Sequence, residues 1–460
     1  TKGGITVTEK YNIYGEKISE TDGRGNETKY TRDLYGNITK IMYPDGTERG
    51  INYNYTGNIL TETDENGNKT EYRYDAIGNL TAAEDKSGGK EIQSREYDGA
   101  YRMTGKKTGG KIKNIYEYDA YDRITSKKVQ DITESKKVYE ERNTYTGNST
   151  GLVTENKILG GNDGTADMTS TVKTDLADRV TEKNDKGNIT KYESDLIGRV
   201  IKETNGNLVI NYEYDANDNL IKESDNTGAV YSYEYNMLGG KTKETDANGN
   251  ETEYIYDSLN RLIQKNIPFD KETGEKSVVK YKYDNNGNIT EERIKTKNLA
   301  GGDTERITKR EYDKRNRVVK ETQAGNDEKE GYTLYEYDKA GNMTKVKTGN
   351  GTRETLYEYD TQNRLVKMTY PSGKSETYGY NSEGNLAYKT DRSGVKTEYK
   401  YDALNNLTEE KAVKEGKTYT RNMQYGATGE KIREYNENAD ISYKYNNQGL
   451  ISGQNYNLNG

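Results

Sequence analysis

Carboxylates are the side chains here best equipped for chemistry, with Asp and Glu together numbering 77 of 460 residues. In Asp246-Ala-Asn-Gly-Asn-Glu-Thr-Glu253, oxygen-bearing residues flank a glycine and precede a Glu. That order superficially resembles a Ca²⁺ loop, which needs alternating oxygen ligands, a turn glycine and a terminal Glu. Paired carboxylates are also the acid and the base or nucleophile of glycoside hydrolysis. The 44 tyrosines offer flat faces on which sugar rings can stack, and Asn37-Ile-Thr39 and Asn288-Ile-Thr290 are sequons. Each signal has a plainer source. The same Asp-x-x-Gly recurs by period, so no one pair of carboxylates is unlike the rest, whereas an enzyme needs one such place. The glycine-rich nonapeptide of Ca²⁺-binding β-rolls is absent. With no His, no Cys and no Trp, the commonest general base and metal ligand, thiolate chemistry and the usual sugar-stacking anchor are all missing. The expectation is no catalytic, cofactor-binding or metal-binding residue, and no cofactor.

What must position these carboxylates is a repeat. Units include YRYDAIGNL (72–80), YEYDANDNL (212–220), YIYDSLNRL (254–262), YKYDNNGNI (281–289), YEYDKAGNM (335–343), YEYDTQNRL (357–365) and YKYDALNNL (399–407). Degenerate copies begin at Tyr30, Tyr192, Tyr233 and Tyr378. The Asp or Asn steps through Asp195, Asp215, Asn236 and Asp257, and again through Asp360, Asn381 and Asp402, at intervals of 20 or 21. About twenty units fill the chain. A second punctuation mark, such as Asp64-Glu-Asn-Gly67, Asp391-Arg-Ser-Gly394 or Pro371-Ser-Gly373, falls about ten residues after the first.

Two turns per unit leave two segments of strand length. In Thr252-Glu253-Tyr254-Ile255-Tyr256, a period of two puts Thr and both Tyr on one face. The partner segments open on adjacent apolar residues, Val200-Ile201 and Leu365-Val366. Either both faces are partly covered or a bulge intervenes, and the spacing leaves both open. Asp accepts from backbone amides two or three residues on, while Gly and Asn tolerate positive φ, so Asp-x-x-Gly-Asn reads as a four-residue hairpin connection. The three prolines, Pro44, Pro268 and Pro371, are placed in turns or loops.

Bulk composition alone would suggest disorder. Hydrophobic residues make up 30% of the chain, much of it Tyr, mean hydropathy is -1.21, and Leu, Ile, Val and Phe fall below the ~20% usual for a packed core. The order lies in the pattern. About forty strands about 4.8 Å apart make a ribbon roughly 190 Å long, which must coil because strand twist accumulates. Too little aliphatic volume exists to fill the inside of that coil. Tyrosines packing across strands with Leu, Ile and Val must then stabilise a thin wall. The expected fold is all-β, tandem antiparallel β-hairpins forming a long coiled sheet, either a hollow spiral shell or an open solenoid-like wall. The expected organisation is one continuous array over 1–460, cut at both ends. Asn457-Leu-Asn-Gly460 matches a hairpin tip, and Gly3-Gly4 resembles the residues just past one.

The 70 basic and 77 acidic residues give a net charge of -7, which disfavours nucleic acid. No stretch is long and apolar enough for a membrane span, and the first 30 residues do not read as a signal peptide. Irregular segments 159–167, 268–275, 299–303 and 324–331 read as tolerated loop insertions, with a ligand-contacting rim as the alternative.

The Y-x-Y-D-x-x-G-N/R-L unit, with its D-x-x-G turn ten residues later, resembles the RHS/YD-repeat family over residues 5–456. That family includes bacterial polymorphic toxins, shell components of insecticidal toxin complexes, wall-associated proteins and animal teneurins. The resemblance implies a spiralling sheet that wraps into a hollow shell, often around a toxic C-terminal domain. Family shells that release a toxin usually end in an Asp-Pro-x-Gly self-cleaving segment, yet none of the three prolines follows an Asp. Processing site and cargo are therefore expected outside this window. The leading reading is a non-catalytic shell or scaffold segment of a secreted or cell-surface protein. Its expected partners are further repeats of the same parent chain, head-to-tail copies, or an enclosed toxin domain. The alternative is an extracellular adhesive or fibre-forming module that binds carbohydrate or neighbouring cells. A ligand-binding enzyme domain, the third reading, would require one closed pocket with an irregular polar lining.

Overall fold

Each unit of sequence folds as a β-hairpin because alternating Tyr and polar residues suit a half-buried pleated surface and Asp-x-x-Gly closes the turn. A computed structural model describes residues 5–132, 136–159, 168–270, 273–297, 302–325, 331–426, 429–446 and 450–458. The described residues contain forty strands and no helix, and the strands belong to one antiparallel sheet. The fold is the long β-hairpin sheet expected from the repeat.

Backbone proximity divides the chain into two units. The first holds residues 1–69, 208–357 and 370–372, and the second holds 70–207, 358–369 and 373–460. Within each, consecutive strands pair in sequence order. In the first unit, for example, Glu251–Tyr256 pairs with Leu262–Asp270, and that strand pairs in turn with Glu275–Tyr283. In the second, Asn188–Ser194 pairs with Val200–Asn205.

The two-residue alternation holds. In Lys396–Tyr401 every second side chain is exposed, and in Glu251–Tyr256 the two tyrosines are half-buried while Ile255 faces out. Among the described residues no large side chain is fully buried, and the buried apolar residues are Ala83, Ile112, Val129, Val279, Ala403 and Met423.

Three sequence readings are corrected or decided. The hairpin connection contains three residues, not four. Asp195 N–H donates to Arg199 O (2.9 Å) while Gly198 N–H donates to Asp195 O (3.2 Å), with Gly198 at φ 97°. A tight turn followed by a left-handed glycine builds the bulge that matches strand twist. At Val200-Ile201 the choice falls to a bulge: Ser194 faces Val200 but Glu193 faces Lys202, so Ile201 is extra. Pro268 is not in a loop but inside the strand Leu262–Asp270, opposite Lys276 and beside a register shift. A bulge tolerates the missing N–H. Pro44 and Pro371 do lie in turns. Residues 160–167, 271–272, 299–301 and 326–330 of the irregular tips, and the terminal Gly3-Gly4 and Asn459-Gly460, lie outside the described residues.

Candidate functional site

The turns concentrate the polar chemistry, and their carboxylates are consumed in building them. At Asp195 one oxygen accepts from the N–H groups of Ile197 (3.1 Å) and Arg199 (3.0 Å), and the other from Arg199 Nε (2.7 Å). The amides lie two and four residues on, because the turn is one residue shorter than its sequence suggests. Where Asn replaces Arg, Asn288 Nδ2 donates to Asp284 Oδ2 at 2.9 Å. This explains the Asn/Arg alternation after glycine: both supply an N–H to the second oxygen. At Asp246, the Ca²⁺-loop candidate, Asn248 N–H, Asn250 N–H and Asn250 Nδ2 donate at 2.8–2.9 Å. Among the described residues no group of three or more acidic side chains converges on a metal-sized site. In the sequons, Asn37 and Asn288 spend their amides on Asp33 and Asp284.

The second tyrosine of each unit fastens neighbouring hairpins. Tyr283 OH donates to Leu262 O (2.6 Å), Tyr256 OH to Lys241 O (2.7 Å) and Tyr337 OH to Val318 O (2.7 Å) in the first unit. In the second, Tyr97 OH reaches Leu80 O (2.9 Å) and Tyr380 OH reaches Leu365 O (2.8 Å). The accepting carbonyl belongs to the residue that opens the bulge, where the ladder is disrupted. The hydroxyl therefore does more than tolerate water: it replaces the missing ladder bond. Arg at the turn adds a second tie. Arg261 Nε holds its own Asp257 (2.7 Å), Nη1 donates to the carbonyl of the next turn, Asp284 O (3.1 Å), and the guanidinium lies 4.8 Å from the Tyr283 ring. Arg317, Asp338 and Tyr337 repeat the pattern.

Turn carboxylates and wall tyrosines are shifted in opposite directions. The Asn37 side chain, followed by backbone N–H groups, holds Asp33 below its ordinary value against partial desolvation. The Arg179 side chain and then its N–H do the same for Asp175. Burial pushes the tyrosines up. Tyr30 rises to about 12 through burial and then its bond to Glu20 (2.6 Å), and Tyr254 rises to about 12 through burial and then the Glu244 charge.

Within each unit, D-x-x-G turns of an early stretch meet YD turns of a later one. In the first unit Arg24 N–H donates to Asn286 Oδ1 (3.0 Å), Asn286 Nδ2 to Asp22 Oδ2 (2.6 Å) and Arg24 Nη1 to Asp313 O (2.9 Å). Arg315 reaches Glu65 (3.3 Å) and stacks 4.2 Å from the Tyr43 ring. Asp22, Tyr43, Asn286 and Arg315 line a cleft of about 590 Å³. A Cβ on Gly23 would stand 2.3 Å from Asn285 O, so only glycine permits this approach. In the second unit Thr361 Oγ1 donates to Asp85 (2.8 Å), and a Cβ on Gly109 would stand 2.3 Å from Ser382 O. There Ala403 and Leu404 pack on Ile112, Val129 and Tyr139. Local pattern reading misses these contacts, although three of the covered turns carry doubled glycines, Gly23/Gly25, Gly88-Gly89 and Gly109-Gly110.

Comparison with known proteins finds a family model in the repeats. The family described as RHS Repeat matches residues 53–91, 312–353, 337–375, 359–390 and 380–414. The chain carries RHS repeats in these stretches. The chain is similar in structure to a Photorhabdus luminescens Tc holotoxin pore carrying a mutated TccC3, at 14% identity and a TM-score of 0.49, covering 99% of this chain and 30% of that one. It is also similar to TcdB2-TccC3 without its hypervariable C-terminal region, at 14% identity and a TM-score of 0.48, covering 97% and 30%. The RHS chain thus spans about 30% of the length of these similar chains. No curated protein matches it in sequence.

Proposed function

We propose that this RHS chain is a non-catalytic structural shell segment, one continuous array over 1–460, of a secreted or cell-surface protein that encloses a toxin domain. The observation that carries this reading is the use of the polar groups. Asp, Asn/Arg, Gly and Tyr are spent turn after turn on holding the wall together, in a family whose members include toxin shells. No described turn departs from the rest in the way a reaction centre would. Further repeats of the parent chain, second copies and the enclosed domain are its partners, and no cofactor takes part.

The test uses the intact parent protein. The domain downstream of the repeats is expected to resist protease until the wall is denatured. Digestion as fast as that of the same domain made without the repeats would overturn the shell role. The adhesive reading is second, favoured by exposed tyrosines such as Tyr101 and Tyr121 at turn tips of the second unit. It requires saturable binding on a glycan array that is lost when these two tyrosines are replaced by Ser.

A further inference from the structure

In the first unit some YD-turn tips are polar and covered, while others are apolar and exposed. In the first unit the covered tips are polar, Asn285-Asn286 and Lys314-Arg315, and they meet the polar side chains of Asp22, Asp45, Thr47 and Glu65. The turns 12–15, 33–36 and 54–57 of the same unit carry Ile13-Tyr14, Leu34-Tyr35 and Tyr55 at the same two positions. All five side chains stand in the open, Ile13 at 90% and Tyr35 at 81% exposure. The backbone of two of these tips is fixed within the turn, because Asn12 Oδ1 and Asp33 Oδ1 accept from the amides of Tyr14 and Tyr35 at 2.9 Å. Three turns of one unit with apolar tips in the open, on so polar a chain, mark an interaction surface.

The second unit shows what receives an apolar YD tip. Ala403 and Leu404 sit at the tip of the turn 402–405, and they pack on Ile112 together with Val129 and Tyr139. Ile112 is the first residue of the strand Ile112–Tyr118, immediately past a D-x-x-G-type turn, and it is only 9% exposed under this cover. Tip and receiving turn thus match in character: polar tips meet polar partners in both units, Asn286 on Asp22 in the first and Thr361 on Asp85 in the second, and the apolar tip Ala403-Leu404 meets an apolar strand end. In the first unit the position equivalent to Ile112 is apolar in two further strands. Leu208 opens Leu208–Tyr214 and Val230 opens Val230–Tyr235, and they are 41% and 43% exposed.

The geometry points to head-to-tail self-association, in which the tips Ile13-Tyr14, Leu34-Tyr35 and Tyr55 of one copy seat against the Leu208 and Val230 rim of a second copy. The occupant is a second copy because the surface complementary to the tips is carried by the same chain, and because it continues the kind of seam each unit already contains. The interface is heterologous, so association is open-ended unless the rotation closes a ring. The inference rests on the reading of the chain as an RHS wall.

The experiment is sedimentation velocity of the full 460-residue chain over a hundredfold range of concentration, with far-UV circular dichroism as the check on folding. The mass is expected to rise with concentration past twice that of one chain. Leu34→Asp with Tyr35→Ser, on the tips, and Leu208→Lys with Val230→Lys, on the rim, are each expected to weaken association by about tenfold or more. Mixing the two variants is expected to restore dimers and nothing larger, since each retains one intact surface. Three outcomes overturn the proposal: a wild-type chain that stays monomeric, a rim variant that associates normally, or a mixture that does not pair. Tip-dependent co-sedimentation with phosphatidylcholine vesicles by a monomeric chain would assign the tips to lipid instead. A folded, monomeric chain would remove the second copy as a partner and leave the shell role to its own protease-protection test.

Discussion

Replacing Tyr283 with Phe isolates the bond on which the wall depends. The substitution deletes the hydroxyl that donates to Leu262 O at 2.6 Å and leaves the ring beneath Arg261, 4.8 Å away. A hydrogen bond of this kind contributes about 1 kcal/mol net, and a buried carbonyl left without a partner costs about 1–3 kcal/mol. The site is half-buried, so water takes over part of the carbonyl's demand and the lower end of that range, about 1 kcal/mol, is the expected loss. At room temperature this is about a fivefold change in a local opening equilibrium. In an array of repeats each hairpin leans on its neighbours, so local opening is the relevant quantity and a single global transition is not. Hydrogen exchange read by mass spectrometry is therefore expected to show about fivefold faster exchange in peptides covering residues 259–285, with distant hairpins unchanged. Tyr121→Phe, at an exposed turn tip, serves as the control with no effect. If Tyr283→Phe exchanges like wild type while Tyr283→Ala opens the hairpin, the ring and not the hydroxyl fastens the repeats, and the bulge-carbonyl account fails.

Other outcomes follow from the same geometry. Asp257→Asn keeps an acceptor for the N–H groups of Leu259 and Arg261 but loses the charge facing Arg261 Nε. It is expected to cost less than Asp257→Ala, which should lose about 1–2 kcal/mol by comparison with other side-chain caps, as read by urea titration of local exchange. Tyr30 and Tyr254 are neutral in the fold with values raised from 10.0 to about 12. The stability they contribute is complete below the unfolded value and is lost as pH rises through the folded one. Circular dichroism should thus hold up to about pH 10 and decay towards about pH 12 together with tyrosinate absorbance. Asp33 and Asp175 are depressed below 3.8, so their contribution is present above that value and lost as pH falls below it. The turns should survive mild acid and loosen only in strong acid, visible as accelerated protease cleavage after acid treatment. Gly23→Val forces a Cβ into the space 2.3 Å from Asn285 O. Exchange around residues 22–25 and 284–287 should quicken while the hairpin ladders beyond them keep their protection.

Much of this molecule is legible from local pattern. Asp195, Gly198 and Arg199 specify a turn among themselves, and Tyr254 and Tyr256 share a face because a strand alternates. Such features are set within a few residues, and the sequence by itself determined them: forty strands, their order, the turn positions and the absence of a filled core. The length of the turn connection was misjudged because Asp and Asn pair across it through a backbone bond that the spelling Asp-x-x-Gly-Asn does not display. Pro268 was misplaced because a bulge inside a strand excuses its missing N–H. The partner of the tyrosine hydroxyl was hidden for a related reason, since Leu262 O needs a donor only once the bulge has broken the ladder. The seams required the tertiary structure outright. Asp22 meets Asn286, and Ile112 meets Ala403, across more than two hundred and fifty residues. That meeting depends on twist summed over many strands, a quantity no single repeat contains, and it decides which turn tips are covered and which face solvent.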